Sequence, residues 1–468
     1  MKTKKRRYEN YWFYDYCGIA AHLEEMAEKG WLISRVTPFW WEYRKIEPRR
    51  LRFSVTYFSE ASDFNPYPTE NQQTFLEYCG EAGWRLAAEW AQMQMFYSER
   101  EEPIPIETDE GVKLRAIHRA MKKNFLPSSI LLAGLAVLQL FMQAFNFRNG
   151  PARWLADGTA LTAGLLWLLV LVISAFSLLG YACWYGRSKR AVETGGSCAI
   201  PGQRYRALSR ASTVIVLISL ALWFCSVLKT HTWWITAAVI GYMVLLLALV
   251  FGTKNIMKKM RAPGSVNRTV TTAVCIVLSI ALTAALTVGI LRGRRAGLFS
   301  SRQPEIYTSA APDGTMWEWE IYHDPLPLRV EDLTVVDYEH YSCQWDARET
   351  FLAGYYEGRQ DAPPDGSDVP ELSYTISDVK FAPLYGVCLE DALKVYDYED
   401  DVPEEERAYW EKTDSTGWEA DAVYRLYRGG QPWLNRYVIC WEDRIVSVTF
   451  SWEITREQAA AAAAGLRR

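Results

Sequence analysis

The chain has 468 residues, half of them hydrophobic, and a formal net charge of −4 from 51 Lys/Arg against 55 Asp/Glu. The near balance hides a split, because residues 1–295 hold 36 basic against 21 acidic side chains and residues 296–468 hold 15 against 34. A length of this order exceeds one typical domain, and long uncharged apolar runs between the two halves exclude a wholly soluble chain.

The N-terminal region contains a repeat. Leu23-Glu24-Glu25-Met26-Ala27-Glu28-Lys29-Gly30-Trp31 recurs 53 residues later as Leu76-Glu77-Tyr78-Cys79-Gly80-Glu81-Ala82-Gly83-Trp84. Each copy reads as an amphipathic helix stopped by a glycine, Gly30 or Gly83, and Thr69 with Gln72 forms a capping box before the second. A β-rich stretch follows each Gly-Trp: 32–45, with Trp40, Trp41 and Tyr43, and 87–98, with Trp90, Met93, Met95 and Phe96. Between them, 51–58 alternates Leu51, Phe53, Val55 and Tyr57 on one face. Two helix–strand–strand units and an extra strand predict that residues 1–106 form an α+β sandwich with pseudo-twofold symmetry, ferredoxin-like in style. Trp31 and Trp84 then read as equivalent core anchors, and the competing reading makes the aromatic positions a ligand or interaction groove.

The run Phe13-Tyr14-Asp15-Tyr16, followed by His22 and the string 23–31, resembles the bacterial domain-of-unknown-function family 2812. Tyr43-Arg44-Lys45, the segment 51–58 and Gly83-Trp84 extend the resemblance over roughly residues 10–100. It implies a membrane-anchored protein whose gene often lies beside a transcriptional regulator of the PadR type, and it carries over no catalytic residue. Asp324-Pro325-Leu326-Pro327-Leu328 and Val330-Glu331-Asp332-Leu333 resemble long members of the family less specifically.

Residues 107–124 place Leu114, Ile117 and Met121 at helical spacing opposite Lys113, Arg119 and Lys122. The pattern predicts a juxtamembrane helix lying on the bilayer with its basic side at anionic headgroups; Pro127 is expected to bend or stop it.

Five segments within 125–292 each approach the roughly 20 apolar residues that a bilayer core requires: 125–147, 160–184, 211–228, 233–251 and 270–291. None contains Asp, Glu, Lys, Arg or His. Short connections rich in Lys and Arg set orientation. The basic residues gather before the first span, between the second and third (Arg187, Lys189, Arg190, Arg204, Arg206, Arg210), and between the fourth and fifth (Lys254, Lys258, Lys259, Arg261, Arg268). The N-terminus is therefore expected inside a bacterial plasma membrane and the C-terminal region outside. Arg292, Arg294 and Arg295, just past the last span, run against this. The lack of ionisable groups in the spans disfavours ion-coupled transport. Gln139 and Gln143 in the first span, and the small-residue ladder Ala281, Ala285 and Gly289 in the fifth, are expected to serve helix packing.

Residues 296–468 form the acidic part, expected as an extracytoplasmic α+β domain. Strands over 422–427, 436–441 and 444–452 predict a β-meander, turned at Arg428-Gly429-Gly430-Gln431 and Glu442-Asp443. Helices are expected over 381–395 and over 456–467, the latter capped by Thr455 with Gln458. The acidic run from Asp397 to Glu406 lacks the spacing of a calcium loop, His323 and His340 lack that of a zinc motif, and no Gly-x-Ser-x-Gly elbow occurs. Cys343, Cys388 and Cys440 allow at most one disulfide. No cofactor and no direct nucleic-acid partner are expected. The expected partners are the lipid bilayer, a cytosolic protein and an extracytoplasmic ligand. The competing functional reading is a small-molecule or lipid-handling membrane protein, such as an export accessory or immunity factor. A membrane enzyme, the third reading, lacks a visible catalytic constellation.

Overall fold

The computed structural model describes residues 3–37, 40–201, 203–229, 233–295, 304–310, 316–363, 369–395, 403 and 407–467. Two compact units form. The first comprises Met1–Leu138, Leu166–Cys225 and Thr232–Arg292, and the second comprises Gln139–Leu165, Ser226–His231 and Gly293–Arg468.

The first unit opens with β1 (Lys4–Arg7), α1 (Tyr16–Glu28), β2 (Trp31–Val36) and β3 (Trp41–Lys45), and continues with β4 (Arg52–Tyr57), α2 (Glu70–Glu81), β5 (Arg85–Trp90) and β6 (Met93–Ser98). Its two antiparallel sheets have equivalent orders, β1-β3-β2 and β4-β6-β5. Each is thus a strand–helix–strand–strand unit with its own leading strand. Gly30 and Gly83 end the helices at φ +79° and +89°, a left-handed conformation that glycine alone adopts without strain. The register slips between Ile33 and Arg35 in one sheet and between Leu86 and Ala88 in the other. Those positions are again 53 apart.

The ferredoxin-like expectation does not hold, because β4 pairs with β6 rather than joining the first sheet. The basic run Lys4–Arg7 supplies the missing strand: Arg6 pairs with Glu42 at 2.8 Å and the Lys5 ammonium lies 5.2 Å from the Trp31 ring.

Helix α3 (Glu110–Lys123) starts at Asp109, whose carboxylate accepts from the Gly111 and Val112 amides. Its apolar stripe does not face a bilayer. Leu114, Ile117, Ala120 and Met121 are buried in the same core as Leu23, Met26, Val55 and Met95. The stripe is amphipathic because it closes a soluble core.

Among the described residues, five helices are long and apolar enough to cross a membrane: α4 (Phe125–Arg148), and, beyond the short α5 (Pro151–Ala156), α6 (Gly158–Glu193), α7 (Gln203–Leu228), α8 (Trp233–Lys259) and α9 (Gly264–Arg295). The chain is a multi-pass membrane protein. Pro127 falls in the first turn of α4, where its missing N–H leaves no intrahelical bond unmade; the break comes at Asn124, before the proline. Helices α6, α8 and α9 continue beyond the apolar runs into charged sequence, since intrahelical hydrogen bonds persist in water.

In the second unit, the hairpin β7 (Glu305–Ala310) and β8 (Met316–Ile321) precedes β9 (Ser342–Glu349), β10 (Ala353–Asp361), β11 (Leu372–Val379), α10 (Tyr385–Ala392), β12 (Tyr409–Thr413), β13 (Ala422–Arg428), β14 (Gln431–Cys440), β15 (Arg444–Phe450) and α11 (Arg456–Arg467). Seven strands make one sheet in the order β12-β13-β14-β15-β11-β10-β9, with the expected meander at its centre. Alternation divides β15 between two cores: Val446, Val448 and Phe450 meet α11, and Ile445 points to the other face. The α11 cap is reciprocal, Thr455 Oγ1 accepting from the Gln458 amide while Gln458 Oε1 accepts from the Thr455 amide. Leu328 and Val330 of the Pro-rich string lie buried against the α11 face. The opposite face is closed by α10 together with α5, whose Leu155 and Ala156 are core residues. Cys343, Cys388 and Cys440 are buried free thiols.

Candidate functional site

Three features of the first unit stand out chemically, and all bring distant parts of the sequence together. The first is an aromatic seam between the N-terminal domain and α6. The Tyr14 ring lies 4.8 Å from Trp184 and 5.5 Å from Tyr181. Trp184 Nε1 donates to the Ala199 carbonyl at 2.6 Å. His118 of α3 meets the Tyr181 hydroxyl at 2.7 Å through Nδ1 and stacks on Tyr185 at 4.2 Å. Farther along the chain, Lys254 reaches Asp63 at 3.3 Å and the Asn267 side-chain amide donates to the Phe64 carbonyl at 2.9 Å.

The second is a titratable cluster at the starts of α1 and α3. Glu110 Oε2 accepts from the Cys198 amide at 2.9 Å, Lys113 lies 3.4 Å from Glu110, and the Lys113 ammonium sits 4.1 Å from the Tyr16 ring. Burial pushes the Cys198 thiol up to about 12, so it is no nucleophile at neutral pH. Burial also pushes the Glu107 carboxyl up to about 7, against the opposing pull of Lys113. The folded chain then binds this proton more tightly than the unfolded one. The stability it contributes is present below the ordinary value of 4.5 and is lost as pH rises through about 7. Glu107→Gln is expected to flatten that loss, seen as a smaller difference in thermal unfolding between about pH 5 and about pH 8. An unchanged difference would assign the pH slope elsewhere.

The third is a cavity of about 500 Å³. The segment Asn10, Tyr11, Trp12 and Phe13 forms one wall, with Trp90 and Phe125 beside it. Leu169, Val172, Ile173, Phe176 and Ser177 of α6 form a second. Ser212, Thr213 and Ile215 of α7 complete it, and the Asn10 amide donates to Thr213 Oγ1 at 3.1 Å. The segment is held at its other end by Tyr57, whose hydroxyl donates to the Phe13 carbonyl, and by the Asp15 cap on the Gly18 amide at 3.0 Å.

The residues singled out from sequence fall elsewhere. Trp84 is buried, with Nε1 on the Ile104 carbonyl at 2.7 Å, but Trp31 is only half-buried beneath Lys5, so the two tryptophans are not equivalent anchors. Trp41 and Tyr43 are core residues, and Trp40 is exposed with Arg6 across its ring. Gln139 is exposed on α4, and Gln143 accepts from Trp154 Nε1 of α5 at 2.7 Å rather than from a neighbouring span. Ala281, Ala285 and Gly289 are exposed on α9, and a Cβ on Gly289 would meet nothing within 4 Å. His323 pairs with Glu305 at 3.0 Å, and His340 stacks on Tyr307. The acidic run of residues 397–406 lies outside the described residues apart from Pro403.

Residues 15–128 match the family described as a protein of unknown function (DUF2812). The DUF2812 segment begins at the Asp15 cap and runs through α3 into α4, so α3 belongs with the domain whose core it completes. Neither the curated proteins nor the solved structures contain a match to the chain.

Proposed function

We propose that this is a non-enzymatic bacterial plasma-membrane protein that links a cytosolic protein-interaction domain to an extracytoplasmic sensing or binding domain. The observation that carries the reading is that each soluble core runs into a membrane-helix end. In the first unit, Tyr181 and Trp184 of α6 share the core of the DUF2812 segment. In the second, α5, between the first two spans, closes the core of the seven-stranded sheet. A shift in helix packing would be felt in either core, because close-packed interiors transmit displacement.

The same contacts support an N-terminus-in, C-terminus-out topology. The N-terminal domain holds the two basic connections, at Cys198 and at Lys254 and Asn267. The C-terminal domain holds the weakly charged first connection, where Thr350 Oγ1 donates to the Leu155 carbonyl at 2.6 Å. Matching strand orders, with turn glycines and register slips 53 residues apart, further support an internal duplication. A regulator of the PadR type is the proposed cytosolic partner, by family analogy alone.

Affinity capture of the intact protein from native membranes is expected to recover a cytosolic protein through the N-terminal domain; recovery of none would sink the interaction role. Single cysteines placed at exposed Arg359 and Lys45 should react with an impermeant maleimide in intact cells at the first position only. Labelling of both would overturn the topology.

The cavity between α6, α7 and the Asn10–Phe13 segment favours the second reading, a small-molecule or lipid-handling membrane protein. That reading predicts altered tolerance to membrane-active compounds on expression.

A further inference from the structure

A smaller and more polar cavity lies in the second unit. It has a volume of about 220 Å³ and forms where the end of β12, β13, β14 and the start of α11 meet. All the segments that line it fall within the described residues 407–467. One wall carries a carboxylate. Asp414 folds back on its own chain, its Oδ1 accepting from the Thr416 hydroxyl at 2.6 Å and from the Thr416 amide at 3.0 Å. These bonds, and Arg456 nearby, hold the Asp414 carboxyl below the usual carboxylate range, so it is ionised at neutral pH. Among the described residues its Oδ2 accepts no hydrogen bond.

The other charges on the lining are two guanidiniums, Arg425 and Arg456. The Arg425 side chain is 17% exposed, and its guanidinium carbon lies 5.2 Å from the centre of the Tyr437 ring, which packs on Trp418. Nη2 donates to Asn435 Oδ1 at 3.3 Å and stands 3.9 Å from Glu453, a carboxylate that is 80% exposed. Nε is enclosed without a partner, so a ligand meets Arg425 through Nη1, which is bonded to nothing among the described residues. The Arg456 guanidinium makes no hydrogen bond or ion pair among the described residues. Two guanidiniums on one cavity repel, and the mostly buried one carries a desolvation cost that one long hydrogen bond offsets poorly. A carboxylate answers both, because its two oxygens match the planar guanidinium donors. The ionised Asp414 adds a second requirement, since it repels a plain anion and attracts an ammonium. The volume, below the roughly 300 Å³ at which sites for drug-sized molecules begin, calls for a small ligand.

We propose that this cavity binds a free α-amino acid, its carboxylate on Arg425 and Arg456, its ammonium on Asp414 and its side chain against Ile454. The proposal rests on the reading of the C-terminal domain as an extracytoplasmic binding domain and gives that domain a ligand class.

The test is calorimetric titration of the purified full chain in detergent with each of the common L-amino acids in turn. At least one is expected to bind. Its amide, which lacks the carboxylate, and its deaminated acid, which lacks the ammonium, should each bind about tenfold more weakly. Arg456→Gln changes an exposed side chain that bonds to nothing in the fold, and should weaken the amino acid about tenfold. Arg425→Lys keeps the charge and gives up the planar fork, with a loss of about the same size. Asp414→Asn keeps an oxygen for Thr416 and removes the charge, so it should weaken the amino acid while the deaminated acid binds at least as well as before. Binding of no amino acid, or binding unchanged in both Arg456→Gln and Asp414→Asn, would overturn the site. Tighter binding of the deaminated acid, or of inorganic phosphate, than of any amino acid would overturn the ligand class. Absence of binding with capture of a cytosolic protein intact would overturn this site and leave the linking role standing. Binding that depends on Arg456 but leaves that capture unaltered would support the site and count against the linking role.

Discussion

Ile117→Asp is expected to unfold the N-terminal domain, with a loss of stability exceeding about 4 kcal/mol, which marks the exceptional end of single substitutions. Ile117 is fully buried, as are Ala120 and Met121 on the same stripe of α3, and they share a core with α1, β4 and β6. Among the described residues the core holds no buried Lys or Arg, so a carboxylate there must either ionise in an apolar setting or be held protonated, and both cost free energy. Lys122→Asp, on the exposed side of the same helix, should shift stability by no more than about 0.5 kcal/mol. The pair separates a core helix from a helix lying on lipid. In the second case Ile117→Asp would release the helix from the bilayer and leave the domain folded, and Lys122→Asp would weaken headgroup attraction. Limited proteolysis and thermal unfolding of the full-length protein in detergent decide it. A protease-resistant N-terminal domain in Ile117→Asp contradicts the structure.

What the sequence made legible follows from how local each signal is. Spans announce themselves because about 20 consecutive residues without a charge have few other uses. The meander β13–β15 and the cap at Thr455 are equally local, set by alternation, by Gly429 and Gly430 at positive φ, and by a side chain three residues from its partner. The misreadings share the opposite property. The run Lys4–Arg7 has no apolar alternation to mark it, and only its pairing with β3 makes it a strand. The stripe of α3 carries the same periodicity whether it faces lipid or protein, so periodicity cannot name its partner. The six residues of α5 are too short to read as a core element, yet their burial against the sheet ties a membrane connection to the C-terminal domain. Trp31 and Trp84 match in sequence and differ in burial, because Trp84 is enclosed with Cys79, Phe96 and Ile106 while Trp31 packs at the edge of the larger core beneath Lys5. The cavity had no sequence signature. Its walls come from residues 10–13, 90, 125, 169–177 and 212–215, and only the tertiary fold joins them.

Trp184→Ala tests whether the DUF2812 segment is fastened to α6 as the proposed coupling requires. Trp184 is 5% exposed, stacked near Tyr14 and Tyr181, and anchored through its indole N–H to Ala199. Removing a buried aromatic costs about 3–5 kcal/mol, and here the loss falls where α6 joins the core of the first unit. Hydrogen exchange should therefore rise in α3 and in residues 194–201, while β4–β6 of the same domain and β9–β11 of the second unit keep their protection. Trp184→Phe retains the ring and gives up only the hydrogen bond, so its effect should be near 1 kcal/mol and confined to residues 194–201. The two variants divide packing from anchoring. If Trp184→Ala left exchange in α3 unchanged, the domain would be fastened to the membrane elsewhere, with the Lys254–Asp63, Asn267–Phe64, Asn10–Thr213 and Glu110–Cys198 contacts among the other ties. If it raised exchange and also abolished any response of partner capture to an added amino acid, the seam would be the path by which a shift in helix packing reaches the domain. A two-state element biased by both ligand and partner is what coupling requires, and the Tyr14–Trp184 stack, with the cavity-lining Trp12 and Phe13 immediately before it, has the position for that role.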